Sequence, residues 1–468
     1  MATRRDQLHS YQFLTQRVIS AFIMRETDPQ QSPLRRGVGA IFAGLMIAVL
    51  VAAGFGVYGI ITKVGSDQWQ VEGAVVVEKE TGASFVYVDG ILHPALNYAS
   101  AMLAAGRPSP VVFRVASNSL GSVPRGTTIG IPGAPDSLPP AGKRIGLPWT
   151  VCAMSGTDRS GRRVSMSALA LTVVPDSTTR LEDEGVLVRR AGAEETYLVW
   201  HGRRYLIRQP DRLVPALFGA VTPVSVDTAW LNALPAGSDI AAVSASNRGK
   251  PSTAVPDYSN GDVLTVQTGS GPQHYLVLDN GVAPITELQK TIIGATYQVR
   301  VAEVAPSVVT SLPRSSQVVT PSGEAAPPTA APRLQMSGAD ELICAVTADA
   351  KAAPALYVGG VLPGADTAPP TAGTSGDGVP LADRVLVPAG QVATIRVLSA
   401  PTAESGPYFV VTDTGVKYPV RSPEVLMMLG YSPDDVVDVP AALVARLPTG
   451  PVLDPEAAAR PAPVTTVQ

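Results

Sequence analysis

Apolar residues run without a single charge from Gly37 to Thr62 (GVGAIFAGLMIAVLVAAGFGVYGIIT). At 1.5 Å per helical residue, about 26 residues exceed the roughly 30 Å hydrocarbon core of a bilayer, so the run predicts one membrane-spanning helix. The preceding segment carries Arg4, Arg5, Arg17, Arg25, Arg35 and Arg36 against Asp6, Glu26 and Asp28, whereas only Lys63 and then Asp67 follow the run. That asymmetry predicts a cytoplasmic N-terminus and export of the large C-terminal part, a single-pass membrane topology. A cleaved signal peptide would have a shorter charged region and an apolar core of 7–15 residues. Within the leading segment, Leu8, Tyr11, Leu14 (or Thr15), Val18 and Phe22 recur at three- and four-residue spacing, with Arg5, Gln12, Gln16 and Arg25 elsewhere. This predicts an amphipathic helix over Asp6–Met24 that lies on the membrane surface or docks on a partner.

Beyond the span, one pattern recurs four times. Alternating apolar and polar residues predict a strand, as in Tyr275-Leu276-Val277-Leu278; a turn dipeptide leads into a second short strand, and a helix follows. The turn residue is Asp89, His201, Asp279 or Asp413, and a later proline is Pro124, Pro235, Pro313 or Pro448; their separations are 35, 34, 34 and 35. A glycine lies between them at Gly106, Gly219, Gly294 and Gly430, of which Gly430 or Gly294 closes its helix as a C′ residue. Ser422-Pro423-Glu424 supplies a helix start, and Thr286-Glu287 a weaker one. Each unit is a small ββα-type module.

Two inserts interrupt the modules, each with one cysteine in a strand-like run: Cys152 lies 63 residues after Asp89, and Cys344 lies 65 after Asp279. The chain thus reads as repeat–insert–repeat, twice, with both inserts building one central β domain. Two exported thiols in one domain are a disulfide candidate, the alternative being two separate buried thiols. The expected fold class is α+β: one N-terminal transmembrane helix, then an elongated exported region of four ββα-type modules flanking a central β-rich domain with pseudo-two-fold duplication. The expected domains are an arm (1–36), the span (37–62), module one (63–140), the first half of the central domain (141–193), module two (194–250), module three with a Pro-rich connection (251–332), the second central half (333–406), module four (407–450) and a disordered tail (451–468).

Composition removes several function classes. A net charge of −3 gives no nucleic-acid surface, and 43 Gly with 43 Pro against 5% aromatics favour short strands and turns. The nearest approach to a phosphate loop, SASNRGKPS, has Ser244 where the first glycine should stand and Pro251 after Lys250, which removes both a hydroxyl and an N–H. His201 and His93 read as turn and hairpin residues, and Asp434-Asp435 as a helix start. No catalytic set, metal site or cofactor is expected.

The arm reads R-R-D-Q-L-x-S-Y-x-F-x-x-x-R from Arg4 to Arg17, and Pro33-Leu34-Arg35-Arg36 leads into the span. Together with four repeats around a two-cysteine core, this resembles the EccB family, single-span core components of type VII (ESX) secretion systems in actinobacteria. The resemblance runs from Arg4 to about Pro451 and is most specific in the arm. It implies an oligomeric membrane complex with the EccC motor ATPase, EccD and EccE, with Arg4, Arg5, Tyr11, Phe13, Leu14 and Arg17 as partner-binding positions. It also implies a periplasmic central domain flanked by repeats, and a disulfide mapping onto Cys152–Cys344. The expected role is a structural core subunit of the export complex. ATP hydrolysis has been suggested for the family, but these residues offer no nucleotide site to carry it. Likeness of the modules to bacteriophage cell-wall-binding folds implies peptidoglycan attachment as a second reading.

Overall fold

The computed structural model describes residues 3–25, 34–62, 67–158, 160–335, 338 and 341–463. Helix α1 (Arg4–Met24) begins in a capping box between Thr3 and Asp6, which satisfies two of the backbone donors that any helix N-terminus leaves open. Helix α2 (Leu34–Thr62) contains the apolar stretch, of which Gly37–Gly59 is long and apolar enough to cross a membrane and is not buried in the protein. The region that follows is β-rich.

The first sheet uses β1 (Ala74–Glu78), β2 (Ser84–Val88) and β3 (Ile91–Pro94), then helix α3 (Tyr98–Ala104) and β4 (Val112–Val115). Next come β5 (Trp149–Thr157), β6 (Arg163–Leu171) and β7 (Thr179–Leu181). The second sheet follows with β8 (Val186–Arg190), β9 (Thr196–Trp200), β10 (Arg203–Ile207), α4 (Pro210–Phe218), β11 (Val224–Val226) and α5 (Thr228–Ala233). The third has β12 (Val263–Thr268), β13 (Gly271–Leu278), β14 (Gly281–Ile285), α6 (Glu287–Thr296), β15 (Val301–Glu303) and α7 (Pro306–Ser311). After β16 (Ile343–Thr347), β17 (Ala355–Val358) and β18 (Arg384–Leu386), the fourth sheet has β19 (Val392–Leu398), β20 (Tyr408–Thr412), β21 (Lys417–Val420), α8 (Pro423–Met428), β22 (Val437–Pro440) and α9 (Ala441–Val444); a last short helix is α10 (Pro455–Ala458).

All four outer sheets share one strand order, β3-β2-β1-β4 in the first and its counterpart in the others. Two antiparallel hairpin steps lead to a strand that returns parallel to the first. The remaining six strands form a sheet in the order β18-β6-β5-β16-β17-β7.

One hydrogen-bond pair explains the fixed spacing seen in the sequence. The third strand's N–H donates to the later proline's carbonyl: Leu92 to Pro124 at 2.9 Å, Arg204 to Pro235 at 3.0 Å, Val282 to Pro313 at 2.9 Å and Lys417 to Pro448 at 2.9 Å. Two residues past each proline an N–H returns the bond, from Gly126, Gly237, Ser315 and Gly450 to the same four residues. A Cβ on Gly126, Gly237 or Gly450 would lie 2.4, 2.1 or 2.3 Å from the ring of His93, Tyr205 or Tyr418. The third sheet carries Ala283 where the others carry a ring, and there the closing residue is Ser315. Glycine is thus set by a neighbouring ring.

The outer sheets pack in pairs and against the six-stranded sheet. Ala99, Met102 and Leu103 of α3 share a core with Val425 and Leu426 of α8; Leu213 and Val214 of α4 share one with Leu288 and Ile292 of α6. Helices α5 and α9 bury Trp230, Leu231, Leu443 and Val444 against Trp149, Val151, Leu169, Ile343 and Ala345.

Several expectations are corrected. The ββα reading omits two strands of each outer sheet, the first and the parallel last. The last has three or four residues, too few to show a period. Strands β8 and β19, within the segments 141–193 and 333–406, pair with the second and fourth sheets. Gly294 lies inside α6, whereas Gly430, at φ 87°, does end its helix. Thr286 forms a full capping box with Gln289, while Ser422 caps no backbone N–H. Part of the Pro-rich connection folds as α7, and the tail is ordered to residue 463, with Leu453 and Ala458 buried. Residues 464–468 lie outside the described residues.

Gly237→Ala should destabilise the fold by about 1–3 kcal/mol through overpacking against Tyr205. Gly269→Ala, where nothing lies within 4 Å, should stay within about 0.5 kcal/mol. Urea unfolding midpoints of the two variants check this.

Candidate functional site

The six-stranded sheet brings the two cysteines together. Antiparallel β5 and β16 place Cys152 directly opposite Cys344, with Cα atoms 4.0 Å apart, and the two form a disulfide between residues separated by 192 positions. Both are fully buried beside Ala168, Ala170 and Leu362. The neighbouring positions Val151, Ala153, Ile343 and Ala345 join the core on which α5 and α9 sit, because successive strand side chains face opposite ways.

A polar junction ties this sheet to its neighbours. Ser167 of β6 donates its N–H to Asp383 Oδ2 at 2.8 Å, and its hydroxyl lies 2.9 Å from Asp227 Oδ2 and 3.2 Å from Asp383 Oδ2. Asp227 also caps α5 by accepting from Ala229 N–H. Burial pushes the Asp383 carboxyl up, Asp227 adds to the shift, and the Ser167 hydrogen bonds oppose it. Arg446, after α9, donates from Nη1 to Pro380 O at 2.6 Å and from Nε to Ala442 O. Nearby Lys417 donates to Val444 O at 2.6 Å, and burial with the adjacent Arg446 lowers its pKa to about 8. These groups hold elements to one another. The sequence marked none of these groups; the partnership of Ser167 with Asp383, 216 positions away, leaves no local signal.

The arm is the second candidate site. Tyr11, Phe13 and Leu14 are 71%, 58% and 63% exposed, Phe22 is 87% exposed, and the Arg17 guanidinium lies 5.1 Å from the Phe13 ring centre. At roughly 100° per residue, Leu8, Tyr11, Val18 and Phe22 share one side of α1, and Phe13 and Arg17 fall on the other. Arg4, Arg5, Leu8 and Tyr11 border a shallow depression near the helix start.

The stretch Ser244–Ser252 is no phosphate cradle. Gly249 N–H donates to Asn260 O at 2.8 Å, Lys250 N–H to Asn247 O at 3.0 Å and Ser252 N–H to Tyr258 O at 2.9 Å. Pro251 has no N–H to offer. Arg248 is held by Val243 O and Gly261 O and lies 3.9 Å over the Tyr297 ring. His201 occupies a turn at φ 47° and stacks on Trp200. Buried His274 faces Thr265 Oγ1 at 3.0 Å and Glu287 on its other side, within the third sheet. Among the described residues, no group of three or more His, Cys, Asp or Glu is placed to hold a metal ion.

The family model described as type VII secretion system ESX-1, transport TM domain B (EccB) matches residues 1–463. The chain belongs to the EccB family. It is therefore a component of a type VII (ESX) secretion membrane complex. A relative named ESX-2 secretion system ATPase EccB2, from Mycobacterium tuberculosis, is 29% identical over 97% of this chain and 94% of its own length. The ESX-1 secretion system ATPase EccB1 of Mycolicibacterium smegmatis matches at 29% over the same shares. A chain of an intact ESX-5 inner membrane complex shares the fold with a TM-score of 0.65 at 24% identity, covering 100% of this chain and 97% of that one. A chain of an EccB3 dimer from the ESX-3 core complex gives 0.60 at 24% identity, with 82% and 99% covered.

Removing the disulfide by a Cys152→Ser/Cys344→Ser double substitution should cost about 4–5 kcal/mol on the chain-entropy model, read by chemical unfolding under non-reducing conditions. Lys417 has a folded pKa of about 8, below its unfolded 10.5, so between those values the unfolded chain binds more protons. Stability of the native chain should accordingly rise with pH across that window relative to Lys417→Met, as unfolding titrations of the pair would show.

Proposed function

We propose that the chain is a structural subunit of its secretion complex. Its arm docks in the cytoplasm onto partner subunits of the EccC, EccD and EccE kinds, its single helix spans the inner membrane, and its exported sheets assemble with further copies above it. The observation carrying the arm's role is that exposed apolar side chains stand on both sides of α1. A helix lying on a bilayer needs one apolar face, whereas a helix gripped by protein can use two. Phe13 and Arg17 on one side, with Tyr11 and Arg4 on the other, suit a groove between subunits.

The exported part is read as a duplicated unit, sheet–insert–sheet, with the first outer sheet corresponding to the third, the second to the fourth, and the cysteine pair between the halves. The common strand order, the repeated Pro–carbonyl pairing and the matched helix contacts, α3 with α8 and α6 with α4, support this reading. Catalysis is left to other subunits: relatives carry ATPase in their names, but the backbone donors around Lys250 are already bonded within the chain.

Deleting Ala2–Arg25 should abolish co-purification of EccC- and EccD-type subunits from native membranes, and Tyr11→Ala with Phe13→Ala should weaken it; wild-type recovery would sink the arm's role. Lys250→Ala should leave ATP hydrolysis by the purified complex unchanged, measured as phosphate release.

A further inference from the structure

Under the duplication reading, on which this inference rests, two grooves correspond, and only one is filled. In the pair formed by the first and fourth sheets, the chain after β21 is held at Leu453, Asp454 accepts from Arg421 at 2.8 Å, and α10 buries Ala458 beside Ala99 and Leu103 of α3. The tail then pairs antiparallel with the strap after Pro124: Gly130 N–H donates to Arg460 O, Ala462 N–H to Thr128 O, and Ile129 is left 6% exposed.

In the pair formed by the second and third sheets, the chain after β10 follows the same path at first. Ile240 bridges Ile207 as Leu453 bridges Val420, and Arg208 meets Asp239 at 2.6 Å. It then runs through Ala241–Ser244 in no helix or strand and continues toward β12, with no counterpart of α10. A cavity of 310 Å³ remains there, walled by Ile240, Ala242, Leu288, Ile292, Val319 and Pro327. Leu288 and Ile292 stand where Ala99 and Leu103 meet α10. Val318, the counterpart of Ile129, is 87% exposed, and Gln317 and Val319 make no pairing like that of Thr128 and Gly130 among the described residues.

We propose that this cavity and strap form a peptide-binding site for a segment of a different polypeptide with the chemistry of residues 453–462: an Asp-capped Pro-Glu-Ala-Ala helical turn followed by an extended Ala/Pro stretch that pairs with residues 317–319. The groove holding this chain's own tail defines that chemistry. The tail itself is already held in place by buried Ala458 and two backbone bonds, so a second copy would have to release it first.

The probe is a synthetic peptide of residues 451–463 with a photoreactive group at the position of Ala459, irradiated with the full-length chain in detergent, adducts being mapped by mass spectrometry. Saturable adducts should fall on residues 239–244 and 317–329. Val318→Asp, a surface change that leaves the fold intact, should reduce them about tenfold, as loss of one buried valine contact implies; Ala242→Trp should do the same by filling the cavity. No adducts there at millimolar peptide, or adducts indifferent to Val318→Asp, would overturn the site. Adducts between the tails and cavities of two copies would overturn the assignment to a different polypeptide. Ala458→Asp, which expels α10, separates this from the underlying reading. If the emptied groove over α3 then takes the peptide and the cavity never does, the duplication stands and the proposal fails. If neither takes it, the equivalence of the two grooves fails as well.

Discussion

The way the sheets beyond the membrane span are joined hangs on the pairing of β5 with β16. These strands come from segments almost two hundred residues apart, and their pairing joins the β5–β6 hairpin to the β16–β17 hairpin. Their five paired positions, from Ile343 opposite Ala153 to Thr347 opposite Trp149, put two cysteines in one cross-strand pair on one face and small aliphatic residues on the other. The disulfide shortens the loop that the unfolded chain would otherwise explore, and the aliphatic face becomes the floor on which α5 and α9 rest. Without that floor, Trp230 and Leu443 would lose their core.

From this sheet order spreads outward by contact. The second and fourth sheets dock through α5 and α9, and they hold the third and first through α4 with α6 and α8 with α3. Each outer sheet is small and closes itself with one pair of backbone bonds around a proline carbonyl. Polar groups at the junction, Ser167 with Asp227 and Asp383, and Arg446 with Lys417, are satisfied across element boundaries, so separating the elements would leave buried charges without partners. These buried polar groups hold the parts of the body together.

Much of this was legible in the sequence where the signal is local or exactly repeated in spacing. The uncharged run of α2, the hairpin turns at Asp89 and His201, and the constant separation of each turn from its later proline are signals of that kind. Strands such as β11 and β15 were not legible, since three residues carry no period and their pairing partner lies more than thirty positions earlier. The Pro/Ala-rich tail misled because composition predicts disorder, while α10 is ordered by the α3 surface it lands on. For the same reason Asp383 left no trace: its meaning comes from Ser167, which only the folded sheet brings near.

The most direct test of a jointly built central sheet is hydrogen exchange of the full-length chain, oxidised against reduced and alkylated. With the disulfide intact, the amides of β5 and β16 should be among the slowest to exchange and should share one opening rate. After reduction and alkylation both should lose protection together, while the hairpins of the outer sheets keep theirs. Protection of β5 that persists when β16 has opened would mean that the two halves fold separately, contrary to this account.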